Sequence, residues 1–152
     1  MDSLSNDLQL LYQRDLNRLI DNIEAVPEDL FWKAPEGVTN SCGVLVQHLV
    51  GNLNHFIGHV LGETEYERDR EWEFTANYIS KKELVEQVEQ LQDTLNNIFV
   101  ELNDGQFARE YPLNLPFETS TTRGFLIHLY GHLNYHLGQI NYLRRIQLSQ
   151  DK

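Results

Sequence analysis

Apolar residues recur along this chain with the period of a helix in four stretches. From Ser3 to Ala25, Leu8, Leu11, Tyr12, Leu16, Leu19, Ile20 and Ile23 return every three or four residues, which builds one continuous apolar face. Pro27 closes that stretch, because the residue before a proline is steered out of helical geometry. A second helix is predicted from Ser41 to Leu61, with Ser41 or Asn40 as its N-cap and Gly62 as its stop. The third runs from Ser80 to Leu102. "SKKE" reads as a capping box there, and Leu84, Val88, Leu91, Leu95, Ile98 and Leu102 form the stripe. "NDG" ends it, and the fourth helix is predicted from Thr119 to Ile146. "YPLNLPFET" carries two prolines and reads as an extended connection. Four long helices without a sheet predict an all-α four-helix bundle, one domain over residues 1–152. Two connections are long for a simple up-down bundle, so at least one crossover is expected, with consecutive helices running parallel. The first of them, "GETEYERDREWEFTANYI", is predicted to cover one end of the bundle or meet a second subunit.

Composition narrows the partners. The net charge is −11, from 12 basic against 23 acidic residues. Nucleic-acid affinity comes largely from Lys and Arg meeting phosphates, so nucleic acid is not an expected partner, and neither is an anionic membrane surface. No apolar run approaches the roughly 20 residues that span a bilayer, and the start lacks the pattern of a signal peptide, so a cytoplasmic location is expected. A cation or a small molecule stays open. Leu4, Leu10, Val85 and Val100 lie beside the main stripes and predict a homodimer, the commonest closed assembly.

Single residues can be read in the same way. The one cysteine, Cys42, forms no internal disulfide and reads as a small core residue. Its place near a helix start, where the dipole lowers a thiol pKa, is the alternative. Trp32, Trp72, Phe74 and Tyr78 are expected to pack over the bundle ends. The acidic run from Glu63 to Glu73 reads as solvated surface, with Arg68 and Arg70 paired to neighbouring glutamates rather than to an acidic substrate.

The histidines carry the chemistry. All six lie in two of the four stretches: His48, His55 and His59 in the second, His128, His132 and His136 in the fourth. A helix advances about 100° per residue, so residues four apart lie about 40° apart and one turn on, and two such imidazoles can chelate one metal ion. A third histidine from a facing helix completes three nitrogen ligands and leaves one position open for water or substrate. Spacing alone leaves three chelating pairs: His128 with His132, His132 with His136, and His55 with His59. Imidazole suits several metals. "HLNYH" has Leu133 where a zinc peptidase keeps its glutamate base, and no carboxylate falls on either histidine face, which argues against a di-iron carboxylate bundle.

"HLVGN" from His48, "RDREWEF" from Arg68, "HLYGHLNYHLGQINYL" from His128 and "YQRDLNRL" in the first stretch together resemble the DinB-like superfamily. This is a group of small metal-binding four-helix proteins that includes the YfiT-type proteins and bacterial thiol-dependent S-transferases, and the likeness is strongest to a subfamily without a characterised function. The resemblance covers nearly the whole chain, and its most specific part is the ending His136, Leu137, Gly138, Gln139. It implies an up-down-down-up bundle holding a divalent metal, zinc or nickel, on His48, His132 and His136. His128, His55 and His59 then fall outside that triad, with His128 as the nearest substitute. Asn52 and Gln139 are expected to orient the ligands or water. Two functions follow as expectations. One is metal-dependent hydrolysis or S-transfer, with a small molecule or low-molecular-weight thiol as substrate. The other is a non-catalytic binding or stress-response module with a structural or vestigial metal site.

Overall fold

The structure, a computed structural model, describes residues 3–150. All its regular elements are helices: α1 (Ser3–Ala25), α2 (Cys42–Leu53), a π-helical stretch (Asn54–His59), α3 (Val60–Gly62), α4 (Arg70–Glu73), α5 (Lys81–Glu101), α6 (Asp104–Ala108) and α7 (Thr122–Gln150). The four predicted long helices are present, the second as the continuous run α2, π stretch and α3. The fourth starts three residues later than predicted and ends four later. An isolated bridge between Glu110 and Thr121 is the one β contact among the described residues.

Side-chain contacts fix the direction of each helix. The hydroxyl of Ser5 meets Phe99 O and Gln13 donates to Gln92 O, while Lys81 donates to Val26 O, so α1 and α5 are antiparallel. Tyr12 reaches Leu126 O, Tyr130 donates to Asp15, and Arg144 donates to Asn22, so α1 and α7 run the same way. Cys42 lies beside Ile140 while Phe56 packs on Phe125, so α2 opposes α7. The resulting order is up-down-down-up. The crossover between the two parallel helices is the long connection that follows Gly62.

The core forms along the predicted stripes. Leu16, Leu19, Leu49, Leu53, Leu84, Val88 and Ile140 are fully buried. Tyr12 sits at the centre against Phe99 and Tyr130, with its hydroxyl donating to Leu126 O at 3.1 Å. Cys42 is a core residue. Burial pushes its thiol up to about 12, which removes the dipole-activated alternative.

Several helix ends differ in detail from the expectation. Ser80 accepts from Glu83 N and Ser41 from Val44 N, as caps should, but the Glu83 side chain does not return a bond to Ser80 N, so "SKKE" is a cap and not the predicted box. "NDG" ends α5 but also opens α6, where Asn103 and Gln106 form a reciprocal capping box. Gly62 ends its helix without being the left-handed residue. That residue is Glu63 (φ 55), and a side chain at Gly62 would strike Ile98. The helix changes pitch within "NHFIGH", where Val60 N–H reaches back to His55 O. Phe56 O then accepts the Tyr111 hydroxyl at 2.7 Å, which ties the α6–α7 connection to the π-helical stretch.

Candidate metal centre

His132 and His136 lie one turn apart on α7, and α2 runs antiparallel across them with His48 at the same height. His132 Nε2 stands 3.3 Å from His48 Nε2 and 3.2 Å from His136 Nε2. One nitrogen from each of the three rings lies within 4.8 Å of the others, a geometry open to a single ion. His48 is buried and the other two are half-buried.

The outer nitrogens of His48 and His136 are held by acceptor partners. His48 Nδ1 faces Glu73 Oε1 at 3.1 Å. Burial alone would raise the Glu73 pKa, but hydrogen bonds from His48 and Arg68 and the Arg68 charge outweigh it and bring the pKa below its ordinary value. An ionised carboxylate only accepts, so His48 Nδ1 carries a proton, and Nε2 is the nitrogen turned toward the other two rings. His136 Nδ1 faces Gln139 Oε1 at 2.7 Å and donates to it, and His136 Nε2 turns inward as well. Both Nε2 atoms face His132 Nε2, which can hold at most one hydrogen. With all three rings in the neutral form that a metal requires, at least one of the two short contacts would set lone pair against lone pair, and a cation held between the rings would relieve that repulsion. Burial, with the neighbouring His136 and His48, pulls the His132 pKa down to about 4, and burial lowers His136 too, so both stay in the neutral form that a metal requires. His132 Nδ1 is buried without a partner. The donor set fits a divalent ion.

Glu73 is the residue that sequence reasoning missed. It belongs to the run read as solvated surface, yet it is 1% exposed. Arg68 grips its carboxylate with two hydrogen bonds of 2.9 and 3.0 Å, so the expected Arg68–glutamate pair exists, but inside the fold. The carboxylate absent from both histidine faces arrives from the crossover instead. Gly51 makes this approach feasible, since a side chain there would collide with the Glu73 carboxylate. Gln47 holds the segment in place by donating to the carbonyls of Glu73 and Thr75. A glycine inside the apolar stretch "HLVGN" was the available signal of close approach. The crossover thus covers the site with Glu73 and Phe74, which lies against the His48 ring at 4.6 Å, while its far end packs Tyr78 and Ile79 on Trp32 of the α1–α2 connection, as expected for a bundle end.

The remaining predicted residues divide. Gln139 is a direct partner of His136. Asn52 lines the same cavity without touching the three nitrogens. His128 is exposed on the cavity wall, tilted against Phe117 at 4.2 Å and stacked beside Phe125 at 5.8 Å, and lies outside the convergent group. His55 and His59 stack on each other at 6.0 Å within the π-helical stretch, and His59 turns to Thr64 O.

Comparison with known proteins fits this arrangement. The model of a protein family of unknown function, DUF1572, matches residues 6–152. The chain belongs to the DUF1572 family. A solved structure, that of the DinB-like protein YjoA of Bacillus subtilis, superposes with a TM-score of 0.68 at 17% identity, covering 91% of this chain and 90% of that one. This DUF1572 chain therefore has the DinB-like fold. No curated protein matches it.

Proposed function

We propose that this DinB-like bundle binds one divalent ion, zinc or nickel, on His48, His132 and His136, and uses it for hydrolysis or for transfer to a low-molecular-weight thiol. The observation that carries the reading is the convergence of three imidazole nitrogens, with His48 Nε2 and His136 Nε2 at 3.3 and 3.2 Å from His132 Nε2. A bound ion of this kind supplies a Lewis acid that lowers the pKa of a water or thiol in its open position. The chain's own groups do the rest. Glu73 and Gln139 fix two ring orientations and their tautomers, as partners behind metal-bound histidines commonly do. Phe74 shields His48 from solvent on one side.

A second reading, a metal-binding module without catalysis, is favoured by the absence of any Asp or Glu among the described residues lining the cavity, so no free carboxylate base stands ready. Metal analysis of purified protein combined with a thiol-transfer and ester-hydrolysis assay separates the readings. The enzyme reading expects turnover that disappears in His132→Ala together with the ion. Bound metal without turnover supports the module, and no ion after reloading with zinc or nickel refutes both.

A further inference from the structure

Beyond the three histidines, the cavity of about 470 Å³ is built unlike the rest of the chain. Acidic residues outnumber basic ones by 23 to 12, yet the charged side chains lining the cavity are Arg68 and Arg70. Arg68 is committed to Glu73. Arg70 is exposed at the rim, lies over the Phe74 ring at 5.2 Å, and has no carboxylate partner among the described residues. Its acidic neighbours are engaged or turned away. Asp69 caps Trp72 N, Glu73 faces His48, and Glu71 lies outside the cavity wall.

At the inner end stands Asn52, one turn beyond His48 on α2. It is 6% exposed, and its Oδ1 is buried with no hydrogen-bond partner. Buried polar groups in folded proteins are nearly always paired, so an unpaired one lining a cavity beside a candidate reaction site marks a place for a ligand's hydrogen-bond donor. Between these polar ends the walls are apolar: Phe56, Phe125 and Leu129 inside, with Leu113 and Phe117 of the α6–α7 connection forming an exposed lip.

We propose that this cavity selects a small organic anion. Its aromatic or branched aliphatic body packs on Phe56 and Phe125, its hydroxyl or N–H donates to Asn52, and its carboxylate pairs with Arg70 at the rim. The proposal rests on the reading of this cleft as the reaction site, but its recognition groups are separate from the three histidines.

Ligand-observed NMR titration near neutral pH tests it with 4-hydroxyphenylacetate, its neutral amide, the cation tyramine, and phenylacetate, which lacks the hydroxyl. The carboxylate should bind about fivefold more tightly than the amide, the size of one exposed ion pair, with tyramine weakest. Arg70→Ala should reduce the carboxylate to the level of the amide without changing the amide, and Arg70→Lys should restore part of the difference. Asn52→Ala should bring 4-hydroxyphenylacetate down to the level of phenylacetate. Equal affinity for acid and amide, no binding by any probe, or indifference to Arg70→Ala overturns the proposal. Each titration is run on EDTA-treated and zinc-loaded protein. A carboxylate preference kept without zinc supports Arg70 as the anion partner, whatever becomes of the metal reading. A preference that appears only with zinc makes the ion the anion's partner and overturns the Arg70 assignment.

Discussion

Three imidazoles and the groups behind them form the proposed metal centre. Native His132 stays neutral down to about 4, whereas a histidine in the unfolded chain takes its proton near pH 6.5. Between those values the unfolded state binds more protons, so stability of the metal-free protein falls as pH drops through that window and levels off below it. Urea midpoints measured across it should slope for the wild type and flatten in His132→Leu. The same depression delays proton competition for a bound ion, so loss of metal should begin below the pH of about 6.5 expected for an unperturbed histidine. Behind His48, replacing Glu73 by Gln removes the charge that fixes Nδ1–H. Metal affinity should fall about 10- to 100-fold, read by competition with a chelator, while the fold persists. At this scale the chain was partly legible. The i, i+4 pair on α7 declares itself by spacing, while His48 could be separated from His55 only by likeness to a family. Glu73 gave no periodic signal, because it is buried by one contact between a crossover and a helix rather than by a repeating face.

Among the elements, the apolar stripes of α1, α5 and α7 were readable because a helix buried on one face must repeat every three to four residues. The pitch change at Asn54–His59 was not, since one extra residue in a turn leaves the composition of "NHFIGH" looking helical. Nor was α4, four residues long and held by Gln47 and Arg68 rather than by any stripe of its own. The junction of α2 with α4 is where an element-scale change should matter most. Gly51→Ala drives a methyl group into the Glu73 carboxylate. It should cost about 1–3 kcal/mol in thermal or urea unfolding, as overpacking does, and weaken metal binding in the same variant. Ser80→Ala, remote from the site, removes the cap of α5 and should cost about 1 kcal/mol with no change in metal affinity. Comparing the two separates loss of stability from loss of the site.

At the level of the whole molecule, the up-down-down-up order brings α2 and α7 together antiparallel and lays the crossover over their junction, so one topological choice assembles the three histidines, their hydrogen-bond partners and the cavity. No helix among the described residues is long and apolar enough to cross a membrane. We propose a homodimer through the α1–α5 side, where Leu10 and Val100 remain 62% and 49% exposed while Leu4 and Val85 pack partly on the core. Light scattering that finds only monomer over a wide concentration range refutes that assembly. The central claim is the ion on three histidines, and X-ray absorption at the metal edge of zinc-reloaded protein addresses it most directly. The account predicts one ion per chain with three imidazole nitrogens at about 2.0–2.1 Å and a lighter non-protein ligand, a signature lost in His132→Ala and His136→Ala but kept in His59→Ala. Fewer than three imidazoles in the wild type, or the same spectrum in His132→Ala, would contradict it.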